Sequence, residues 1–314
     1  MLLGILLAFA AAGCQSTSYV CSQLFTHKYP GRTFDLIALA HIAMGIFALL
    51  LLPFVWPDHM PPFAQYALSM IACSGFYLIG QVSLLAALKT SSASRVSPLL
   101  GIKVLILALI GIFFLGQHFG QLQWAAIAMS VAAAAMLSRT GEKLSLNGML
   151  WILLTSIFYC LSDINIKIVV GHFDYLGLAH SSVLGACLCY IVCGIAGLII
   201  FTMRMTPWLC FGPPQDSSQQ ATAPTMTMLA YSLPFAATWF VAILFLFACF
   251  GSIGVVYGNI VLSSRGILSI FLGVLLVRYN FEHLDQRVSR GVFFQRLAAA
   301  VLMSCAIALY YLGA

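Results

Sequence analysis

Charged side chains are the scarcest class in this sequence. Asp, Glu, Lys and Arg together make up 7% of its 314 residues, against about 25% in a soluble domain. A surface exposed to water on every side cannot be covered by so few charges. The shortage excludes a cytosolic or secreted globular enzyme, a disordered tail and a nucleic-acid-binding domain. The balance of 14 Lys+Arg against 8 Asp+Glu gives a formal charge of +6. An excess of that size, held in loops, reads as a topology signal rather than a footprint for nucleic acid. The chain has no Walker loop, no HExxH and no GxSxG, which argues against an ATP-driven pump formed by this chain alone, and no cofactor is expected. Ser263-Ser264-Arg265-Gly266 faintly resembles a segment of lipid-pyrophosphate phosphatases, but the acidic cluster such chemistry needs is missing. The ten cysteines lie in or beside apolar runs, and Cys187 and Cys189 lack a second pair at zinc-ligand spacing. They read as small core residues.

What is abundant is apolar sequence, at 62% of the chain. A membrane helix needs about 20 mostly apolar residues. Runs of that kind fall near 2–24, 34–55, 66–88, 96–116, 122–138, 148–169, 176–203, 234–258, 266–283 and 297–313. Ala11-Ala12-Gly13-Cys14 has the look of a lipoprotein cleavage box, but no Lys or Arg precedes it and the apolar run continues to Phe25, so the segment is expected to be a span. The ninth run is the weakest, being interrupted by Arg278. The stretch 204–228 carries Pro207, Pro213, Pro214 and Pro224 and predicts a flexible connection. Small-residue pairs in the fifth run, Ala128 with Ala132 and Ser130 with Ala134, predict close helix packing, as do Gly194 and Gly197 in the seventh.

The sequence also repeats itself. Leu3-Gly4-Ile5-Leu6-Leu7 returns as Leu150-Trp151-Ile152-Leu153-Leu154, Ser94-Arg95 as Ser264-Arg265, and Ala128-Met129-Ser130 as Leu302-Met303-Ser304. The common order predicts a duplication, 1–140 and 141–314, each of five spans. Five is odd, so the copies are inverted across the membrane, an arrangement of secondary transporters with a site between the halves near the midplane.

The stretch Ala86-Ala87-Leu88-Lys89-Thr90-Ser91-Ser92-Ala93-Ser94-Arg95-Val96-Ser97-Pro98-Leu99-Leu100 resembles the span-three-to-four signature of the drug/metabolite transporter superfamily, EamA-like branch. Leu115-Gly116 continues the likeness, with Gln117 where the family commonly has Glu. Tyr257-Gly258-Asn259 through Ser263-Ser264-Arg265-Gly266 is a looser counterpart in the second half. The resemblance implies an all-α integral membrane protein of ten helices in two inverted repeats. It further implies a permease moving a small metabolite or drug-like solute by alternating access. Relatives carry amino acids, nucleotide sugars, phosphorylated sugars or drugs, so the substrate stays open. So do a coupling ion such as the proton, a counter-substrate and a homodimer. A non-transporting membrane scaffold or sensor, and an integral lipid-modifying enzyme, are the alternatives. The setting implied is a lipid bilayer, the cytoplasmic membrane of a bacterium.

Ionisable groups at membrane depth are costly, by about 2.5–3.5 kcal/mol each on insertion scales, and mark candidate sites. Lys103 lies some seven residues into the fourth run, ~10 Å deep at 1.5 Å per residue; it either faces a cavity or snorkels to the interface. Asp163 and Lys167 are spaced i, i+4 on the sixth run and are expected to share a face. His41 lies in the second run. Arg95 and Arg265 are expected at helix mouths, as anchors or gate charges. The polar and aromatic candidates are Gln15, Tyr19, Tyr77, Gln81, Trp239, Tyr257 and Asn259, with Gln15 and Asn259 ranked first. The expected substrate-binding set is therefore Lys103, Asp163, Lys167, Gln15, Asn259, His41 and Tyr257. Most Lys and Arg fall in connections that follow odd-numbered spans, Arg265 being the main exception; the positive-inside rule then puts both termini outside.

Overall fold

The structure, a computed structural model, describes residues 1–90, 99–116, 118–138, 146–205, 225–265, 268 and 290–313. Among these the architecture is all-helical, without strands. The helices are α1 (Leu2–Lys28), α2 (Thr33–Val55), α3 (Phe63–Thr90), α4 (Lys103–Leu115, entered through a 3-10 turn Leu100–Ile102), α5 (Gln121–Ser138) and α6 (Leu146–Gly171). There follow α7 (Leu178–Met205), α8 (Thr225–Ile253), the short α9 (Val255–Leu262) and α10 (Arg290–Gly313). In lipid every backbone N–H and C=O needs a partner inside its own segment, and an α-helix is the way an apolar run supplies one.

Among the described residues, six helices are long and apolar enough to cross a membrane: Leu2–Lys28, Thr33–Val55, Phe63–Leu84, Leu146–Gly171, Leu178–Met203 and Thr225–Ile253. The apolar helices Leu100–Phe113, Gln121–Met136 and Leu297–Gly313 are shorter. The ninth run, 266–283, lies outside the described residues apart from Leu268. The outer faces are apolar, with Leu68 and Phe54 each 79% exposed and Phe113 77%. In water such a surface would be an association patch; around a membrane helix it meets lipid.

Two boundaries correct the sequence reading. The eighth run does not continue to 258. It starts earlier, at Thr225, and stops at Ile253. Gly254 then turns the chain with φ 78 and ψ 168, a conformation open in practice only to glycine. The residues on both sides are apolar, so hydropathy passes over the break. Arg265 follows α9 after the turn at Ser263 and Ser264, where helical backbone resumes, and its side chain is buried. The small pair Ala128 and Ala132 is also corrected, since both face outward. Ser130 and Ala134 are the buried pair, Ser130 donating to Met303 Sδ of α10 at 3.6 Å.

The helices pair closely as α3 with α6, α1 with α8, α2 with α7 and α5 with α10. Buried serines tie the pairs where no hydrophobic effect can. Ser162 donates to the Cys73 carbonyl at 2.9 Å, and Ser74 to the Cys189 carbonyl at 2.9 Å. The α2–α7 crossing is glycine on glycine: a Cβ added to Gly45 would sit 2.8 Å from the Gly194 Cα, and one on Gly194 equally close to the Gly45 Cα. Six of the nine described cysteines are buried, and all nine are free thiols.

The crossing makes a clear stability prediction. Gly45→Leu or Gly194→Leu is expected to lower the unfolding free energy in detergent by about 1–3 kcal/mol through overpacking. Gly13→Ala, with nothing within 4 Å of the added carbon, is expected to leave the thermal midpoint unchanged or higher. Static light scattering on heating measures both.

Candidate functional site

The deepest charges meet at the centre of the bundle. Lys103 opens α4 and Asp163 lies in the second half of α6. Lys103 Nζ is 2.8 Å from Asp163 Oδ2, and both side chains are 7% exposed. Asn259 of α9 donates its amide to the same carboxylate oxygen at 2.9 Å and to the Val255 carbonyl at 3.0 Å. Lys103 therefore reaches inward instead of snorkelling. Its ammonium also stands over the Tyr159 ring, 5.2 Å from the centroid, where the ring quadrupole favours a cation. One carboxylate thus holds together three helices that are remote in sequence.

A second polar contact lies across the same cavity. Arg265 donates through Nη1 to Gln15 Oε1 at 3.2 Å, and Ser16 Oγ donates to the Arg265 carbonyl at 3.1 Å. Between the two contacts is a small cavity of about 50 Å³, lined by Gln15, Lys103, Asp163, Arg265 and a set of aromatic rings. The rings form one continuous wall. Tyr77 is stacked on Tyr159 with centroids 6.2 Å apart and lies 5.8 Å from Tyr190 and 6.5 Å from Trp239. Tyr19 meets Trp239 edge-on at 6.0 Å. Gln81 donates to the Tyr77 hydroxyl at 2.9 Å, and the Trp239 indole to the Tyr190 hydroxyl at 3.2 Å. The Tyr159 hydroxyl is buried with no hydrogen-bond partner.

A larger vestibule of about 550 Å³ lies nearer the end of the bundle where α1 begins, walled by Ile164, Lys167, Ile168, Val255, Tyr257 and Tyr310 among others. Lys167 is exposed there. It does not pair with Asp163 as the i, i+4 spacing leads one to expect, because Lys103 and Asn259 already occupy that carboxylate. Tyr257 is likewise on the vestibule side. Its ring stacks on Tyr310 at 4.8 Å and its hydroxyl donates to the Ile307 carbonyl at 3.2 Å, so it packs α9 on α10. His41 does not line the central cavity. Its Nδ1 donates to the Ile37 carbonyl at 2.8 Å, and its ring lies 5.6 Å from Tyr77. Arg95 and Gln117 lie outside the described residues.

Sequence reasoning missed Tyr159, Tyr190, Cys73, Ser74 and Ser162, all of which line the central cavity. Tyr159 carried a usable signal, since it precedes Asp163 by one helical turn and shares its face. The others sit in apolar runs without a distinguishing pattern.

The buried pair predicts a non-additive stability pattern. Removing one partner strands a charge, at a cost of about 3–5 kcal/mol, whereas an apolar replacement of both is close to neutral. Lys103→Met and Asp163→Leu are each expected to lower the thermal midpoint clearly. The double variant is expected to recover most of the loss. A double variant as unstable as the sum of the singles would show that the two side chains do not act as a pair.

Comparison with known proteins adds family and fold. No curated protein matches the chain. A solved crystal structure, described simply as that of a protein, superposes on it with a TM-score of 0.64 at 14% identity, over 98% of this chain and 96% of the other. At that identity the likeness speaks for the fold alone. The sequence model of the EamA-like transporter family matches residues 2–139. Over residues 2–139 the chain is thus similar to the EamA-like transporter family, which belongs to the drug/metabolite transporter superfamily.

Proposed function

We propose that the chain is a secondary transporter that moves a small solute by alternating access between two inverted five-helix repeats, 1–140 and 141–314. The observation that carries the reading is the ion pair of Lys103 and Asp163, joined by Asn259 and buried beside a cavity that both repeats line. Intramembrane charges are expensive and persist where a solute or ion must be met.

The helix pairing supports the repeat. Exchange the first five helices for the second five, in order. The α3–α6 pair then becomes α8–α1, while α2–α7 and α5–α10 map onto themselves. The displacement that carries the start of α3, Phe63, onto the start of α8, Thr225, also carries Lys103 onto Arg265. Lys103 contacts α6 and Arg265 contacts α1, which are themselves partners under the exchange. The register differs from that read in the sequence, where Arg265 was matched with Arg95. In this reading Lys103, Asp163, Asn259, Gln15 and Arg265 form the central site. Lys167 stands on the path to it, Tyr257 walls that path, and His41 backs the aromatic wall. Arg95 keeps its proposed place as a gate charge.

The central cavity is too small for a metabolite in this conformation. One or two waters fill a space of that order, so solute binding requires the halves to separate. The vestibule lies toward the end where α1 begins, with Ile164 and Lys167 of its wall next to Asp163 on α6, and in this reading that end is the first to open. With Arg265 buried, the connections after even-numbered spans are poorer still in Lys and Arg, and the positive-inside rule puts that end outside. The proposed setting is the bacterial cytoplasmic membrane, with a proton or a counter-solute driving the cycle and Asp163 its protonatable group.

The stability and transport roles of the pair separate in one experiment. In proteoliposomes screened with metabolite mixtures at two pH values, Lys103→Met is expected to abolish uptake. Lys103→Met with Asp163→Leu is expected to regain stability but not transport. Normal uptake by either variant would contradict a charge-based site. Asp163→Asn is expected to lose pH-driven accumulation while keeping exchange. For topology, a periplasm-only phosphatase fused after Ala314 is expected to be active, and fluorescence from a cytoplasm-only tag there would reverse the orientation.

A further inference from the structure

We infer that the solute is an organic anion with a flat apolar body, whose carboxylate or phosphate takes the place of the Asp163 carboxylate on Lys103. The inference rests on the transport reading above and names the substrate class of the same site. Its first support is the sign of the route. Among the described residues, those that line the vestibule and the central cavity include Lys167, Lys103 and Arg265 but a single carboxylate, Asp163. That carboxylate is already held by an ammonium and an amide. A cationic solute would meet three cations and a neutralised acid, whereas an anion meets Lys167 first and Lys103 one step deeper.

The second support is a donor without an acceptor. Tyr159 lines the central cavity, is 8% exposed, and its hydroxyl has no partner. A buried hydroxyl left unpaired costs free energy, and an entering oxyanion supplies the acceptor it lacks. The third is shape. Tyr19, Tyr77, Tyr190 and Trp239 form a continuous wall of rings beside the same ammonium, suited to a planar body by offset or edge contacts.

These contacts also link binding to movement. The Lys103–Asp163 bond ties α4 to α6, so an anion that displaces Asp163 unties them. Lys167, one turn from Asp163 on α6, is then the cation within reach of the displaced carboxylate. Binding and release of the latch become the same event.

The test uses purified full-length protein and three isosteric probes: 3-phenylpropionate, 3-phenylpropionamide and 3-phenylpropylammonium, titrated calorimetrically. The carboxylate is expected to bind at least tenfold more tightly than the amide or the ammonium. Lys103→Met, in the stabilised background with Asp163→Leu, is expected to abolish its binding. Tyr159→Phe is expected to weaken it about tenfold without lowering the thermal midpoint. Equal or tighter binding of the ammonium or amide, or no carboxylate binding by folded wild-type protein, overturns the inference. Carboxylate binding with no solute movement in proteoliposomes would sink the transport reading and leave the anion site standing. Pair-dependent transport confined to cations would do the reverse.

Discussion

A charge placed inside a lipid-solvated bundle must be neutralised where it stands, and most of the central architecture follows from that constraint. The Lys103 and Asp163 side chains are each 7% exposed. Each is tolerable because the other lies 2.8 Å away. The pair in turn fixes how α4, α6 and α9 approach one another, and Asn259 completes the carboxylate's shell from the third helix. Other helix contacts are held by glycine against glycine and by serine hydroxyls on neighbouring carbonyls. Such short-range devices are what remains when lipid is as apolar as the side chains and hydrophobic burial no longer drives association.

The same pair stands beside a central cavity that is small, about 50 Å³. Its walls are large rings in mutual contact, and its polar groups largely satisfy one another. A substrate-sized space therefore has to be opened by exchanging internal contacts for contacts to solute. The Tyr159 hydroxyl, in that wall, is buried without a partner. The neighbouring vestibule is about ten times larger and lies on one side of the latch. That asymmetry gives the proposed cycle a direction of first approach.

Much of this was legible in the sequence because membrane depth makes polar residues conspicuous. Lys103, Asp163, Gln15 and Asn259 stand out in apolar runs; the first three line one cavity, and Asn259 bonds the Asp163 carboxylate there. Their pairing was not legible. Local spacing favoured Asp163 with Lys167, but a contact between distant helices won, because the deeper lysine had no water to turn to and the shallower one did. The break at Gly254 was hidden for a related reason. Hydropathy measures the cost of exposure to lipid, and a positive φ within an apolar run leaves that cost unchanged. With the break unseen, nothing in the sequence showed that the Arg265 side chain is buried in the core. The aromatic wall was only partly seen, since Tyr159 and Tyr190 are at home in any membrane helix until their neighbours are known.

The central claim is that the cavity beside Lys103 and Asp163 opens to each side of the membrane in turn. Cys193 lines that cavity and is buried in the closed conformation, which makes it a native reporter. The direct measurement is its modification by a membrane-impermeant thiol reagent, applied from one face and then the other of sealed vesicles and read by mass spectrometry. The account predicts labelling from both faces, with protection from either side by the transported solute. Labelling from neither face with solute present or absent, or labelling that solute does not change, would contradict it.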